Sequence, residues 1–404
     1  MSRVIAGALL VAWSMAGCGR VGFADINQDA RGARADDAGG ADGPGPALDA
    51  LTGVNVVFTT SSVHAPRDLG GLAGADEICT ARAGEAGLPG TYVAWLSTAG
   101  TSAPSRLAGA RGWVRPDGRP VFDTVAELTT GILWYPLDRD EQGRAVRTTS
   151  SAGVLVATGT NMDGSYSGED CAGYTSTGVG SVEGGRADVG TRNWTQGFGI
   201  GCDQPIRLYC LGIDHATPVS PSSGTARSAF LLSTASFSHN TGLAGADAAC
   251  QGEATSSGLS GTYRALLAST GSSPISRFQT SGAPWARVDG VLLAWSAEAF
   301  AVGQFLAPLE VTAGGMRPLP GMFATTGTAA PSTAGDDTTT CQAWTQASST
   351  TARAIANTNS VEVFSTQTTN CVNPSQLYRC KSDCQVFAEP KAMRRARASP
   401  RGGV

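Results

Sequence analysis

Eight of the ten cysteines fall into two sets of four: Cys79, Cys171, Cys202 and Cys210, then Cys250, Cys341, Cys371 and Cys380. Successive gaps are 92, 31 and 8 residues in the first set and 91, 30 and 9 in the second. Chance does not reproduce three spacings to within one residue. The other groups capable of chemistry are sparse. Three histidines, His64, His215 and His239, leave few general bases, and they do not form a repeated set. His64 and His239 are expected to be surface-loop residues rather than parts of a triad. No Gly-x-Ser-x-Gly elbow, His-Glu-x-x-His pair or P-loop is present. Gly197-Phe198-Gly199-Ile200-Gly201 is glycine-rich, but it leads into Cys202 rather than a helix, which argues against nucleotide binding. Asp138-Arg139-Asp140-Glu141 begins like a calcium loop. Its twelfth position is Thr149 where a Glu is required, so an acidic turn is expected. No catalytic residue, metal site or cofactor is assigned.

The first 17 residues read as a leader. Arg3 precedes a short apolar run, Val4 to Ala16, and Met15-Ala16-Gly17 stands directly before Cys18. The run is shorter than the ~20 residues that span a bilayer. The pattern resembles a bacterial lipobox, which implies export and a lipid on Cys18. Export favours disulfides for the repeated cysteines. Four cysteines allow three pairings per set, and spacing does not choose among them. Cys384 is left over.

Composition agrees with an extracellular chain. Charged residues are 15% of 404, against about 25% in average proteins. Gly accounts for 53 positions, and Lys381 and Lys391 are the only lysines. The net charge of −4 offers nothing to nucleic acid. Residues 18–53 are rich in Ala, Gly, Asp and Pro and poor in large apolar side chains, the composition of a flexible tether. Asp25, Asp29, Asp36, Asp37 and Asp42 lack the glycine turn and terminal Glu of a calcium loop and read as a solvated spacer.

The elements repeat along with the cysteines. GLAGADEICTARAGEAGLPGTYVAWLSTAG from Gly71 matches GLAGADAACQGEATSSGLSGTYRALLASTG from Gly242 at an offset of 171. Further on, Ser105-Arg106-Leu107 matches Ser276-Arg277-Phe278. Trp113, Arg115, Asp117 and Gly118 match Trp285, Arg287, Asp289 and Gly290, and Pro136-Leu137 matches Pro308-Leu309. Leu72, Ala75, Ile78, Cys79 and Ala83 fall on one helical face. Asp76 and Asp247 are expected in the first turn of that helix, where its dipole favours acids. The helix should stop by Gly87 or Gly258. Thr91 to Ser97 and Thr262 to Ala268 read as buried strands, with short terminal strands at Arg207 to Cys210 and Leu377 to Cys380. Trp113, Trp134, Trp194, Trp285, Trp295 and Trp344 are assigned to core rather than to a sugar platform. The expected fold is α+β, with an antiparallel sheet and long loops.

A Gly-Ala-Asp helix carrying a Cys, a Gly-Leu-x-Gly-Thr-Tyr strand, a Cys-x-x-Tyr/Trp-Thr segment, a Cys in a late loop and a final Leu-Tyr with Cys resemble endostatin. They are closer still to a bacterial family of unknown function that includes the leptospiral endostatin-like surface lipoproteins. The resemblance covers about residues 56–213 and 229–383. It implies two tandem C-type-lectin-like (endostatin-like) domains, stapled by nested disulfides: Cys79–Cys210 around Cys171–Cys202, and Cys250–Cys380 around Cys341–Cys371. On the chain-entropy model each bridge is worth roughly 3–5 kcal/mol. Endostatin's N-terminal zinc histidines have no counterpart here, nor do the Glu-Pro-Asn and Trp-Asn-Asp motifs of calcium-dependent lectins. The resulting layout is a leader (1–17), tether (18–53), first domain (54–213), linker (214–227), second domain (228–384) and basic tail (385–404). The expected function is a non-enzymatic binding or adhesion module at the outer membrane or cell surface, held by lipid, with an extracellular glycan or protein as ligand. The alternatives are a structural envelope protein and a surface hydrolase.

Overall fold

A computed structural model describes residues 51–146, 154–175, 180–191, 193–233, 237–317, 323–346, 350–355, 364, 367–371 and 376–382. The leader, Cys18, the tether through residue 50, Cys384 and the basic tail lie outside the described residues. The fold is mixed α+β.

In the first copy, β1 (Asn55–Thr59) is central and buried along its length. It is followed by α1 (Gly71–Glu85), β2 (Tyr92–Ala94), β3 (Trp113–Val114), β4 (Pro120–Phe122) and α2 (Val125–Thr130). Then come β5 (Leu155–Ala157), β6 (Ser181–Arg186), β7 (Phe198–Gly201) and β8 (Tyr209–Gly212). One sheet has the order β2-β8-β1-β3-β4 and a second the order β5-β6-β7. β8 is antiparallel to both β1 and β2, whereas β1 runs parallel to β3. The sheet is therefore mixed, not antiparallel as expected. A parallel neighbour requires a long crossover, and α1 and β2 supply it.

The second copy repeats this with β9 (Arg227–Leu231), α3 (Gly242–Ser256), β10 (Tyr263–Ala265), β11 (Trp285–Arg287) and α4 (Ala297–Ala301). β12 (Phe323–Thr325), β13 (Thr350–Ile355), β14 (Gln367–Asn370) and β15 (Gln376–Lys381) complete it. Here β12 pairs directly with β15, so the two sheets of the first copy become one of seven strands.

The helix packs through small side chains. Ala75, Cys79 and Ala83 are buried on α1, as are Ala246, Cys250 and Ala254 on α3. Such a face approaches the sheet closely but removes little apolar surface from water, at ~25 cal/mol per Å2. A crosslink compensates: Cys79 on α1 is bridged to Cys210 on β8, closing 131 residues. Cys171–Cys202 and Cys341–Cys371 close 31 and 30 residues. Cys250 is buried on α3, and the side chain of its expected partner, Cys380, lies outside the described residues. The register there differs by one residue. Ala94 stands opposite Cys210, but its counterpart Ala265 stands opposite Arg379, with Cys380 opposite Arg264.

Asp76 and Asp247 are not in the first helical turn, as expected, but one turn further in. Each ties helix to strand. Asp76 Oδ1 accepts from the Ala94 N–H (2.8 Å) and from Arg106 (2.6 Å), while Arg106 also donates to the Ala94 carbonyl (2.5 Å). Asp247, Ala265 and Arg277 repeat the arrangement. That closed ring of bonds accounts for the repeated Asp in Gly-Ala-Asp and for the repeated Ser-Arg pair.

Candidate functional site

The inner bridge of each copy holds an unusual piece of backbone. Cys171, Ala172, Gly173 and Tyr174 all have φ between 54° and 70°, and Cys341, Gln342, Ala343 and Trp344 between 51° and 65°. These are single turns of left-handed helix, which cost about 1–2 kcal/mol per non-glycine residue. Three fixings offset that cost. The disulfide anchors the first residue. A cap precedes it: Asp170 accepts from the Gly173 N–H (3.0 Å) and Thr340 from the Ala343 N–H (3.2 Å). The aromatic at the fourth position is buried and donates to backbone three residues beyond β2 or β10, Tyr174 Oη to the Ser97 carbonyl (2.8 Å) and Trp344 Nε1 to the Ala268 carbonyl (2.7 Å). Burial raises the Tyr174 hydroxyl well above its ordinary pKa, so it stays a donor. Gly159 and Gly327 lie beneath these rings, where a Cβ would collide with Tyr174 Oη or come within 2.7 Å of Trp344.

Over this shared base the loops diverge. In the first copy Asn161 to Glu169 runs outward, with Met162, Asp163, Ser165 and Glu169 exposed. Asp163 accepts from the N–H (2.9 Å) and hydroxyl (2.6 Å) of Ser165, which lowers its pKa. Gln196 braces the loop, donating to Asn161 Oδ1 (2.9 Å) and accepting from the Met162 N–H (2.9 Å). In the second copy the segment is Ala329 to Thr339. Asp336 makes the same turn with Thr338 (2.9 and 2.6 Å) and is likewise lowered, and Asp337 accepts from Thr270 (2.6 Å). Both loops are pre-ordered and polar, and their sequences are unrelated.

The acids singled out by type lie elsewhere. Asp138, Arg139, Asp140 and Glu141 lead into the expected acidic turn, in which Asp140 accepts from the Gln142 and Arg144 N–H groups (3.0 and 2.9 Å), and all four are buried, each 5% exposed or less. Arg115, fully buried, donates to Asp138 (2.6 Å), Asp117 (3.0 Å) and the Pro136 carbonyl (3.0 Å). Burial pushes the Asp117 carboxyl up, but Arg115, Arg139 and Arg119 outweigh it and hold the group low. The second copy rebuilds this knot with Arg287, Asp289, Glu310 and Arg317. The Arg-x-Asp repeat is thus a buried ion network. Sequence reasoning registered the repeat but missed its role, for which Asp138 and Glu310 two residues after each Pro-Leu start were the available signal.

His239, expected to be a surface-loop residue, is placed in the interior instead. It is buried, donates from Nδ1 to the Cys371 carbonyl (2.8 Å) and stacks on Trp344. Burial lowers its pKa, with the Cys371 carbonyl opposing in part. His64 is half-buried beside Ser62 (Oγ to Nε2, 2.8 Å), and burial with Arg82 lowers its pKa. Among the described residues no carboxylate bonds its other nitrogen, so the pair lacks the orienting acid of a triad. Trp113, Trp194, Trp285 and Trp344 are core, while Trp134 and Trp295 are half-buried where the copies meet.

No protein-family model and no curated protein matches this chain. The two loop faces and their shared base therefore carry the functional reading by their own geometry.

Proposed function

We propose that the chain is an exported cell-envelope lipoprotein, held by lipid on Cys18, and that its two copies are C-type-lectin-like, endostatin-like modules binding an extracellular glycan or protein without catalysis. One observation carries the reading. Both copies keep the same base to the hydrogen bond, and both place unrelated, pre-ordered polar loops on it. A constant frame under variable loops is how binding sites are commonly built. The acids and arginines inside each copy neutralise one another rather than facing a reactant. Two faces on one chain favour a repetitive ligand through effective concentration.

The test is an array of glycans and matrix proteins probed with the mature chain, alongside a variant carrying Asn161→Ala and Gln196→Ala. Binding that falls at least ~10-fold in the variant supports the reading. Binding to nothing on the array, or binding indifferent to the loop variant, counts against it. Cys18→Ala should move the protein out of the membrane fraction.

A further inference from the structure

The copies meet along a seam. Arg119, Trp134 and Tyr135 of the first copy face Val291, Leu292, Trp295, Leu306 and Ala307 of the second. With Trp113 matched to Trp285, positions 119, 134 and 135 correspond to 291, 306 and 307. Each copy therefore offers the other its own equivalent face. That is isologous geometry, the arrangement of a twofold dimer, whereas a head-to-tail junction would join two different faces. The side chains have diverged in a complementary way. Large residues in one copy oppose small ones in the other, with Arg119 and Tyr135 standing where the second copy has Val291 and Ala307. The Arg119 guanidinium lies 3.9 Å from the Trp295 ring, and Tyr135 Oη accepts from the Leu292 N–H at 2.8 Å. A second patch adds Arg317, which donates to the Leu133 carbonyl (2.7 Å) and Thr191 (3.1 Å). Glu310 accepts from the Thr191 N–H at 3.2 Å, and a Cβ on Gly190 would collide with the Glu310 carboxylate.

We propose that this seam is a self-standing pseudo-twofold interface, whose occupant is the other half of the same molecule. The halves are held by the face itself and not by the connecting chain. Apolar residues at its centre and an arginine stacked on an aromatic ring are the usual anchors of a specific interface. The three described disulfides each lie within one half.

A protease site inserted between Ser222 and Ser223 of the full chain allows the connection to be cut after folding. Separation on a non-reducing denaturing gel verifies the cut and excludes a covalent link. The expected result in native mass spectrometry at roughly micromolar concentration is one particle containing both halves. Gly190→Val, or Trp295→Ala should the first fold poorly, should weaken the cut pair at least ~10-fold while far-ultraviolet circular dichroism of the uncut chain stays native. Halves that part on cutting, or a seam variant that leaves their association unchanged, overturn the proposal. So does pairing between chains in place of pairing within one.

Discussion

The two copies place a buried arginine at the same point and surround it differently. In the first copy Arg115 is enclosed by Asp117 and Asp138, and the second cation, Arg139, follows Asp138 directly in sequence. In the second copy position 311 is Val, and the second cation is Arg317, which reaches Glu310 (2.8 Å) and Asp289 (3.2 Å) while also donating into the first copy. The first network draws all its charged members from its own copy, whereas the second copy's Arg317 also hydrogen-bonds across the seam. A buried charge must be neutralised locally, but which part of the chain supplies the counter-charge is free to change.

The largest effect expected from breaking this comparison is at the outer bridge. Replacing Cys79 and Cys210 by Ala removes a 131-residue closure and should cost the first copy about 4–5 kcal/mol, read as a loss of thermal midpoint. Peptide mapping without reductant should join Cys250 to Cys380, and a different partner would show that the one-residue change in β15 has altered the scheme. Next, Arg115→Ala removes the one guanidinium that bonds both Asp138 (2.6 Å) and Asp117 (3.0 Å), and about 3–5 kcal/mol is expected. Arg287→Ala should fall at the lower end, because Arg317 reaches Glu310 and Asp289 at 2.8 and 3.2 Å, whereas Arg139 reaches Asp138 and Asp117 at 3.3 and 3.4 Å. Equal losses in denaturant titrations would show that the shared network gives no protection. Gly159→Ala should cost about 2–4 kcal/mol by combining left-handed backbone with a collision at Tyr174. Gly327→Ala, which meets the edge of an indole, should cost less.

The smallest effect is on pH. His239 is held below its ordinary value near 6.5 by burial. Its contribution is complete above that value and is lost as pH falls toward the folded-state pKa. The second copy should therefore weaken as pH falls below about 6.5, before the depressed carboxyls of Asp117 and Asp289 protonate. His239→Asn should flatten that part of a stability profile, whereas His64→Asn, at a half-buried site, should alter it less.

The periodic features were legible in the sequence. Ala75, Cys79 and Ala83 mark the buried helical face because 3.6-residue spacing is a local property. What escaped depends on partners distant in the chain. Nothing beside Asp76 indicates that Arg106 and Ala94 will close around it. Nothing beside Asp138 indicates that Arg115, 23 residues away, will be buried against it. The left-handed turn has no local signature either, since only Gly173 among its residues favours that backbone, and in the second copy no glycine does. The parallel pairing of β1 with β3 was likewise invisible in strand pattern alone.

β1 and β8 are antiparallel neighbours, and Asn55 clasps both ends of the first copy, donating to the His215 carbonyl and accepting from the His215 N–H. The chain thus enters and leaves this copy side by side. Tension applied there peels the two strands apart like a zipper rather than shearing them. The peeling reaches a stop where Cys79 meets Cys210: roughly 29 residues, about 100 Å of slack, come free before the covalent link carries the load and shields everything inside it.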